Sequence, residues 1–150
     1  MFYASEKEVA KAKVRFSKVH PTALDHGMHS ICRKINKIPT VATLASGIGE
    51  PEEGNTRFYI SFIVSDETGE RRMKELFKRW CMNLGMERVT EEVTIPVAKN
   101  TTLNVHRCEM PHEVDDIIWL WTFETVVDAD HITPMVAREM LSNAVDSITR

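Results

Sequence analysis

Four polar side chains at alternating strand positions are the first candidates for chemistry. His106 and Glu124 lie in two predicted strands, and Tyr59 and Ser61 lie in a third. Alternate residues of a strand project to the same side, so polar positions of neighbouring strands can meet on one open sheet face. A histidine and a carboxylate on such a face could act as general acid and base. For an enzyme, this pattern favours His106 and Glu124 as catalytic residues and Tyr59 and Ser61 as binding residues.

A second candidate region is the glycine-rich segment 46–55, which reads as a loop. It contains three glycines, one proline and three glutamates. A glycine loop that follows a strand can bind phosphate where a helix begins next. Here the glutamates follow instead and would repel an anion. Ser46 and Gly47 are therefore predicted as binding residues at the rim of a site, without a phosphate cradle.

Metal binding near the N-terminus is a further alternative. Asp25, His29 and Cys32 stand at i, i+4 and i+7, so a helix would place them on one side, and His26 lies beside them. These are metal-ligand types, but their spacing matches no familiar zinc pattern. The sequence therefore favours a buried cysteine with hydrogen-bonded or exposed histidines, and we assign neither a metal nor a cofactor.

Length and composition bound the kind of protein that these residues belong to. A chain of 150 residues with 43% hydrophobic and 27% charged residues predicts one domain, 1–150, with a substantial core. The net charge of −3 gives no general reason to bind nucleic acid or an anionic membrane. No apolar run reaches the roughly 18 residues of a membrane span. Three widely spaced cysteines and the lack of a signal pattern predict reduced thiols and a cytoplasmic location.

One apolar stretch, 117–126, should organise the fold. It holds two of the three tryptophans and contains neither glycine nor proline, which is typical of a strand near the middle of a sheet. Two faces follow from its alternation. One face carries Ile117, Trp119, Trp121 and Phe123, and the other carries Ile118, Leu120, Thr122 and Glu124.

The remaining elements follow from caps, apolar stripes and breakers. Ser5 with Glu8 forms a capping box that should open the first helix. Helices are predicted over 6–19, 21–38 and 65–84 and from 130 or 133 onward, and strands over 40–45, 57–64, 89–97, 103–110 and 117–126. The short connections favour antiparallel neighbours. We therefore predict an α+β two-layer sandwich: a mainly antiparallel sheet of about five strands with about four helices, mostly on one face.

One resemblance rests on the segment His26–Arg33 leading into Ile38–Gly47. It is similar to small uncharacterised accessory proteins of T-even bacteriophages. Some related proteins follow a helix with a strand and a Ser-Cys-x-Gly-His type of loop. This chain has Ser46 and Gly47 there but lacks the cysteine and histidine. The resemblance implies a phage accessory protein made in bacterial cytoplasm, and it assigns no catalytic residue.

Two functions are compatible with these patterns. The first is a small cytoplasmic accessory protein that binds a host or phage protein, because no intact catalytic or cofactor motif occurs in the chain. The alternative is a small enzyme acting on a nucleotide-like or other small polar substrate through His106 and Glu124. The sequence leaves the partner, the substrate and the oligomeric state open.

Overall fold

The computed structural model describes the backbone of residues 3–24, 27–49, 55–83, 92–94, 100–109, 117–128 and 133–149. Side chains are described for 3–24, 27–48, 56–80, 120–124, 133 and 135–149. These residues form an α+β fold with an antiparallel sheet, as the sequence predicts. None of the helices within them is long and apolar enough to cross a membrane.

The described residues contain four α helices and one short 3-10 helix. The α helices are α1 (Glu6–Ser17), α2 (Met28–Ile35), α3 (Glu67–Asn83) and α4 (Pro134–Ile148). The predicted start of α1 is confirmed, since the Ser5 hydroxyl accepts a hydrogen bond of 3.1 Å from the Glu8 amide. Thr133 caps α4 in the same way, accepting from the Val136 amide at 3.3 Å.

The predicted helix over 21–38 is wrong in extent. The chain forms a 3-10 turn at Pro21–Ala23, and α2 begins only at Met28. Gly27 precedes it with a φ of +76°, a left-handed conformation that glycine adopts without steric cost. This residue interrupts the helical path, so the apolar stripe continues only through Met28, Ile31 and Ile35, all of them buried.

The sheet has β5 at its centre, as its apolar sequence predicts. The strands are β1 (Val41–Gly49), β2 (Asn55–Val64), β3 (Glu92–Thr94), β4 (Asn100–Glu109) and β5 (Ile117–Asp128). Their order is β1-β2-β5-β4-β3, and each neighbouring pair is antiparallel. The register pairs Ile60 with Phe123 and Phe62 with Trp121. These four side chains are buried and lie at the middle of the main core.

Helices α2, α3 and α4 cover one face of the sheet. Trp80 of α3 donates its indole N–H to the carbonyl oxygen of Ala137 at 2.9 Å, which ties α3 to α4. The rings of Phe77 and Phe123 stack with their centroids 3.8 Å apart, which ties α3 to β5. Burial of these aromatic side chains supplies much of the hydrophobic stabilisation of this layer.

Helix α1 lies on the opposite face and covers only one end of it. Its buried residues Val9 and Ala12 pack with Ala42 and Ile63, and Leu120 packs against the same cluster. The apolar pattern of this helix predicts Val14, or the stem of Lys13, toward the core, but Val14 is 55% exposed. The Lys13 amine instead donates to the carbonyl oxygens of Asn36 and Ile38, at 2.6 Å each, and satisfies carbonyl groups just beyond α2.

The sequence predicts Met135 (or Val136), Met140 and Val145 or Ile148 on the apolar side of α4, and the structure differs from this prediction at the start of the helix. Met135 and Val136 are 60% and 41% exposed. The buried positions of this helix start one turn into it and are Ala137, Leu141, Ala144, Val145 and Ile148. Thr133 and Pro134 set the first turn at the protein surface, so the two bulky residues beside them face outward.

The predicted loop 46–55 is shorter than expected at both ends. Residues 46–49 extend β1 and Asn55 begins β2, while 50–54 lie outside the described residues. Hairpin pairing satisfies the backbone groups of this glycine-rich stretch, with Gly47 opposite Tyr59. Glycine content alone favoured a loop, and the pairing with β2 outweighs it.

Candidate functional site

The polar half of one sheet face gathers most of the predicted site residues. Along β2 this face changes from apolar to polar. It begins with Ile63 under α1 and continues with Ser61, Tyr59 and Arg57. The register places Tyr59 opposite Glu124 and Ser61 opposite Thr122. We call these residues, with Gly47 on β1, the sheet-face cluster: Gly47, Arg57, Tyr59, Ser61, Thr122 and Glu124.

An ion pair and a ring contact organise the cluster. The Arg57 Nε atom donates to the Glu124 carboxylate at 2.8 Å, and Nη2 contacts the same oxygen. The guanidinium carbon of Arg57 also lies 4.8 Å from the centroid of the Tyr59 ring. Since the Arg57 and Glu124 side chains are 40% and 35% exposed, water screens the pair and its net contribution to folding is at most about 1 kcal/mol. Its main effect is to hold three functional groups in one arrangement.

Gly47 lets the Tyr59 ring lie against β1. A Cβ atom added at Gly47 would stand 2.5 Å from Cε1 and 2.9 Å from Cζ of Tyr59. Such distances are well inside van der Waals contact, so any side chain here would displace the ring. Gly47 therefore belongs to the site as a spacer, and its glycine identity sets the position of Tyr59.

Ser61 and Ser46 lie in different environments. The Ser61 and Thr122 hydroxyls are 3.0 Å apart and hydrogen-bonded across the strands. Ser46 pairs with Ile60, a core residue, and its hydroxyl accepts a 3.4 Å hydrogen bond from the Cys32 thiol. Of the two binding residues predicted in the glycine-rich segment, Gly47 thus joins the cluster, whereas Ser46 lies beside α2.

His106 occupies a register position opposite Leu120, four residues along β5 from Glu124. At about 3.3 Å per residue, the two positions are separated by roughly 13 Å along the strand. Both register positions belong to the same face of the sheet, because they are an even number of residues apart along β5. The His106 side chain lies outside the described residues, so its pairing with Glu124 stays a prediction.

The alternative metal site around α2 has no described ligand set. His29 stacks on Phe16 with ring centroids 5.0 Å apart. Cys32 is buried, and burial raises the pKa of its thiol, against the smaller opposing effect of hydroxyls from Ser46 and Thr43. Among the described residues no group of three or more metal-ligand side chains comes together, and His26 lies outside them.

Arg57 is the functional residue that sequence reasoning missed. The alternation of β2 places Arg57 on the same side as Tyr59, but it does not connect the charge of Arg57 with Glu124. Two features of the sequence could have indicated this pair. Arg57 is two residues from Tyr59 on the same strand, and opposite charges on neighbouring strands commonly pair. Strand order decides which strands are neighbours, and the β2–β5 pairing is a long-range contact.

The cluster presents a cation, a carboxylate, a phenol and two hydroxyls on a strand surface. Three cavities in the described part of the chain, of about 360, 310 and 50 Å³, lie elsewhere. The arrangement is suited to surface contacts and hydrogen bonding. Comparisons with protein-family models, with curated proteins and with solved structures find no match for this chain.

Proposed function

We propose that this chain is a small accessory protein of phage origin that binds a host or phage protein through the sheet-face cluster. The observation that carries the proposal is the contact between Arg57 and Tyr59, on a half-exposed part of a sheet. Arginine and tyrosine are among the residues that contribute most to binding energy in protein interfaces. We place this activity in the cytoplasm of an infected bacterium, without nucleic acid or membrane as a partner.

Preorganisation supports the choice of this surface. Arg57 is fixed between the Glu124 carboxylate and the Tyr59 ring, and Tyr59 rests over Gly47. Side chains already held in place lose little rotamer freedom on association, which lowers the cost of binding. The Ser61 and Thr122 hydroxyls beside them offer hydrogen-bonding groups for the polar part of an interface.

The test is site-specific photo-crosslinking in a bacterial lysate, with and without phage infection. Tyr59 is replaced by p-benzoylphenylalanine, and the matched control carries the same group at Val14, an exposed position on α1. We expect one protein to be crosslinked from position 59 and not from position 14. The Arg57→Ala variant should weaken capture of that protein. Identical crosslinking from both positions, or none from position 59, would contradict the proposal.

The alternative proposal is a small enzyme that uses His106 and Glu124 on a nucleotide-like or other small polar substrate. It is supported by the shared parity of the two register positions. Their separation of roughly 13 Å requires a substrate that extends along the strands or a side-chain path between them. A thermal-shift screen with nucleotides, sugars and phosphates tests it. A ligand whose stabilising effect disappears in His106→Ala would favour the enzyme over the binding protein.

For the fold itself, we propose that the strand order above is the complete sheet. The domain would then be a two-layer sandwich of about five strands, with α1 as a partial third layer. The support is that α2, α3 and α4 share one core with β2 and β5, whereas α1 contributes to a smaller cluster.

A further inference from the structure

The largest of the three cavities, about 360 Å³, lies where three helix ends meet. Lys37 follows the end of α2, Thr68 lies in the first turn of α3, and Thr149 follows α4. Arg72 of α3 and the connection Pro39–Thr40 complete the polar part of its wall. We call this the helix-end cavity.

The charge of this cavity differs from that of the protein as a whole. Among the described residues, its lining includes two cationic side chains, Lys37 and Arg72, and no acidic one, although the chain has a net charge of −3. A neighbouring cavity of about 310 Å³ shares Pro39 and Thr40 but contains both Lys13 and Glu6. Among the described lining residues, cations without a carboxylate are thus found in the helix-end cavity and not in its neighbour, although Glu67 and Glu70 lie close to Thr68 in the first turn of α3.

The two cations of the cavity differ in how they are held. Arg72 donates from Nη1 to the carbonyl oxygen of Ile148 at 3.0 Å, which fixes its guanidinium at the end of α4. Only one of its five N–H donors is used in that bond. The Lys37 amine is exposed and makes no hydrogen bond or ion pair with any described residue. Both groups can thus turn donors toward a ligand.

Backbone contacts hold the wall of the cavity in place. The Ser65 amide donates to the carbonyl oxygen of Thr40 at 2.9 Å. Gly69 brings α3 so close to Thr40 that an added Cβ would be 2.6 Å from its hydroxyl oxygen. Thr40, Thr68 and Thr149 line the cavity, and the Thr149 hydroxyl donates to the carbonyl oxygen of Val145 at 2.9 Å.

We propose that the helix-end cavity binds a small phosphomonoester. A phosphate dianion matches the Lys37 and Arg72 cations and can accept hydrogen bonds from the Thr40 and Thr68 hydroxyls. The helix dipoles give no net attraction, since the carbonyl ends of α2 and α4 also meet here and the first turn of α3 carries Glu67 and Glu70. The volume is within the usual range of ligand pockets, roughly 300–1,000 Å³. It exceeds what a bare phosphate fills and leaves room for an organic group, so we take a phosphomonoester as the ligand class. This site is separate from the sheet-face cluster and does not depend on the function proposed for that cluster.

The experiment is a titration followed by the backbone amide signals of Thr40, Thr68 and Gly69 in NMR spectra. The probes are inorganic phosphate, glycerol 3-phosphate and glycerol, at constant ionic strength with chloride as the balancing anion. We expect saturable shifts with both phosphate compounds, tighter binding of the ester, and no shifts with glycerol. Binding should weaken from pH 8 to pH 5, because the second phosphate pKa is about 6.

Two charge-matched variants locate the effect. Lys37→Gln should weaken binding of glycerol 3-phosphate by about threefold to tenfold, because it removes a partly screened charge contact. Lys78→Gln removes one exposed charge from α3 away from the cavity and should leave the affinity within about twofold. The Tyr59→Ala variant of the sheet-face cluster should bind glycerol 3-phosphate with the wild-type affinity.

The proposal fails if the amide shifts do not saturate, if chloride alone reproduces them, or if Lys37→Gln and Lys78→Gln weaken binding equally. Saturable binding of inorganic phosphate without preference for the ester would keep the anion site and overturn the inference of an organic part. Arg72→Gln provides a second variant, and its fold is checked separately because it also loses the bond to Ile148.

Discussion

Gly47 offers the sharpest test of how the sheet-face cluster is built. Gly47→Ala would place a Cβ atom 2.5 Å from Cε1 of Tyr59. Overpacking of this kind costs typically about 1–3 kcal/mol. The clash is with the outer part of a ring that can rotate, so we expect the lower half of that range, about 1–2 kcal/mol. Rotation would also disturb the 4.8 Å contact between the ring and Arg57.

Gly47→Ala should stabilise the protein, and no longer destabilise it, when the Tyr59 ring is absent. In a Tyr59→Ala background the three atoms nearest to the added methyl group are absent, and alanine is favoured over glycine in a strand by about 0.5 kcal/mol or more. The double-mutant cycle should therefore give a coupling energy of about 2 kcal/mol between positions 47 and 59. This value is well above the error of such cycles.

Urea unfolding measures the four proteins of the cycle. Trp80 and Trp121 are buried, so their fluorescence reports loss of the core. With a slope of about 2 kcal/mol/M, Gly47→Ala should lower the midpoint by about 0.5–1 M. Equal destabilisation in both backgrounds, or none in the wild-type background, would refute the close approach of Tyr59 to β1.

Three further predictions concern the core and the end of α2. Lys13→Met should destabilise the protein by about 1–2 kcal/mol, because two carbonyl oxygens lose their donor. Lys11→Met, at an exposed position of α1, should leave the stability unchanged, and thermal unfolding measures both variants. Trp80→Phe should cost about 2–3 kcal/mol in urea unfolding, through the lost hydrogen bond and the vacated volume. Cys32 should react slowly with iodoacetamide in the native protein at pH 8, because burial raises the pKa of its thiol. Peptide mass spectrometry measures the labelling, and rapid labelling without unfolding would contradict this prediction.

The pH dependence of stability provides another test at Lys13. Burial lowers the pKa of its amine below the ordinary value of 10.5, so the unfolded chain binds more protons than the folded one in the window just below that value. Stability contributed by this group therefore rises with pH through the window. The difference in unfolding free energy between wild type and Lys13→Met should grow from pH 8 to pH 10. A constant difference would mean that the amine titrates normally in the folded protein.

Sequence periodicity could predict the faces of the strands, because residue alternation is a local property. Tyr59 and Ser61 share a face of β2 by parity alone, whereas the position of Glu124 on that face depends on the register of β2 with β5. The starts of α1 at Ser5 and of α4 at Thr133 could also be predicted from the sequence, because capping depends on residues within one turn.

Features that depend on tertiary contacts were not accessible in this way. Gly47 looked like part of a loop, and its role as a spacer depends on the ring of Tyr59 across the hairpin. Val14 fits an apolar helix face, but α1 is rotated so that Lys13 reaches the carbonyl groups that follow α2. The helix-end cavity brings together Lys37, Arg72 and Thr149, which are far apart in sequence and lie in no common motif.

The lengths of the elements explain why the polar half of the sheet face is open. Helix α1 has 12 residues, which corresponds to about 18 Å at 1.5 Å per residue. Strand β2 has 10 residues and extends about 33 Å. Even if it lay directly along the strand, α1 could cover little more than half of it. The change from Ile63 to Arg57 along β2 matches this limit, because the apolar residue lies under the helix and the charged one beyond it.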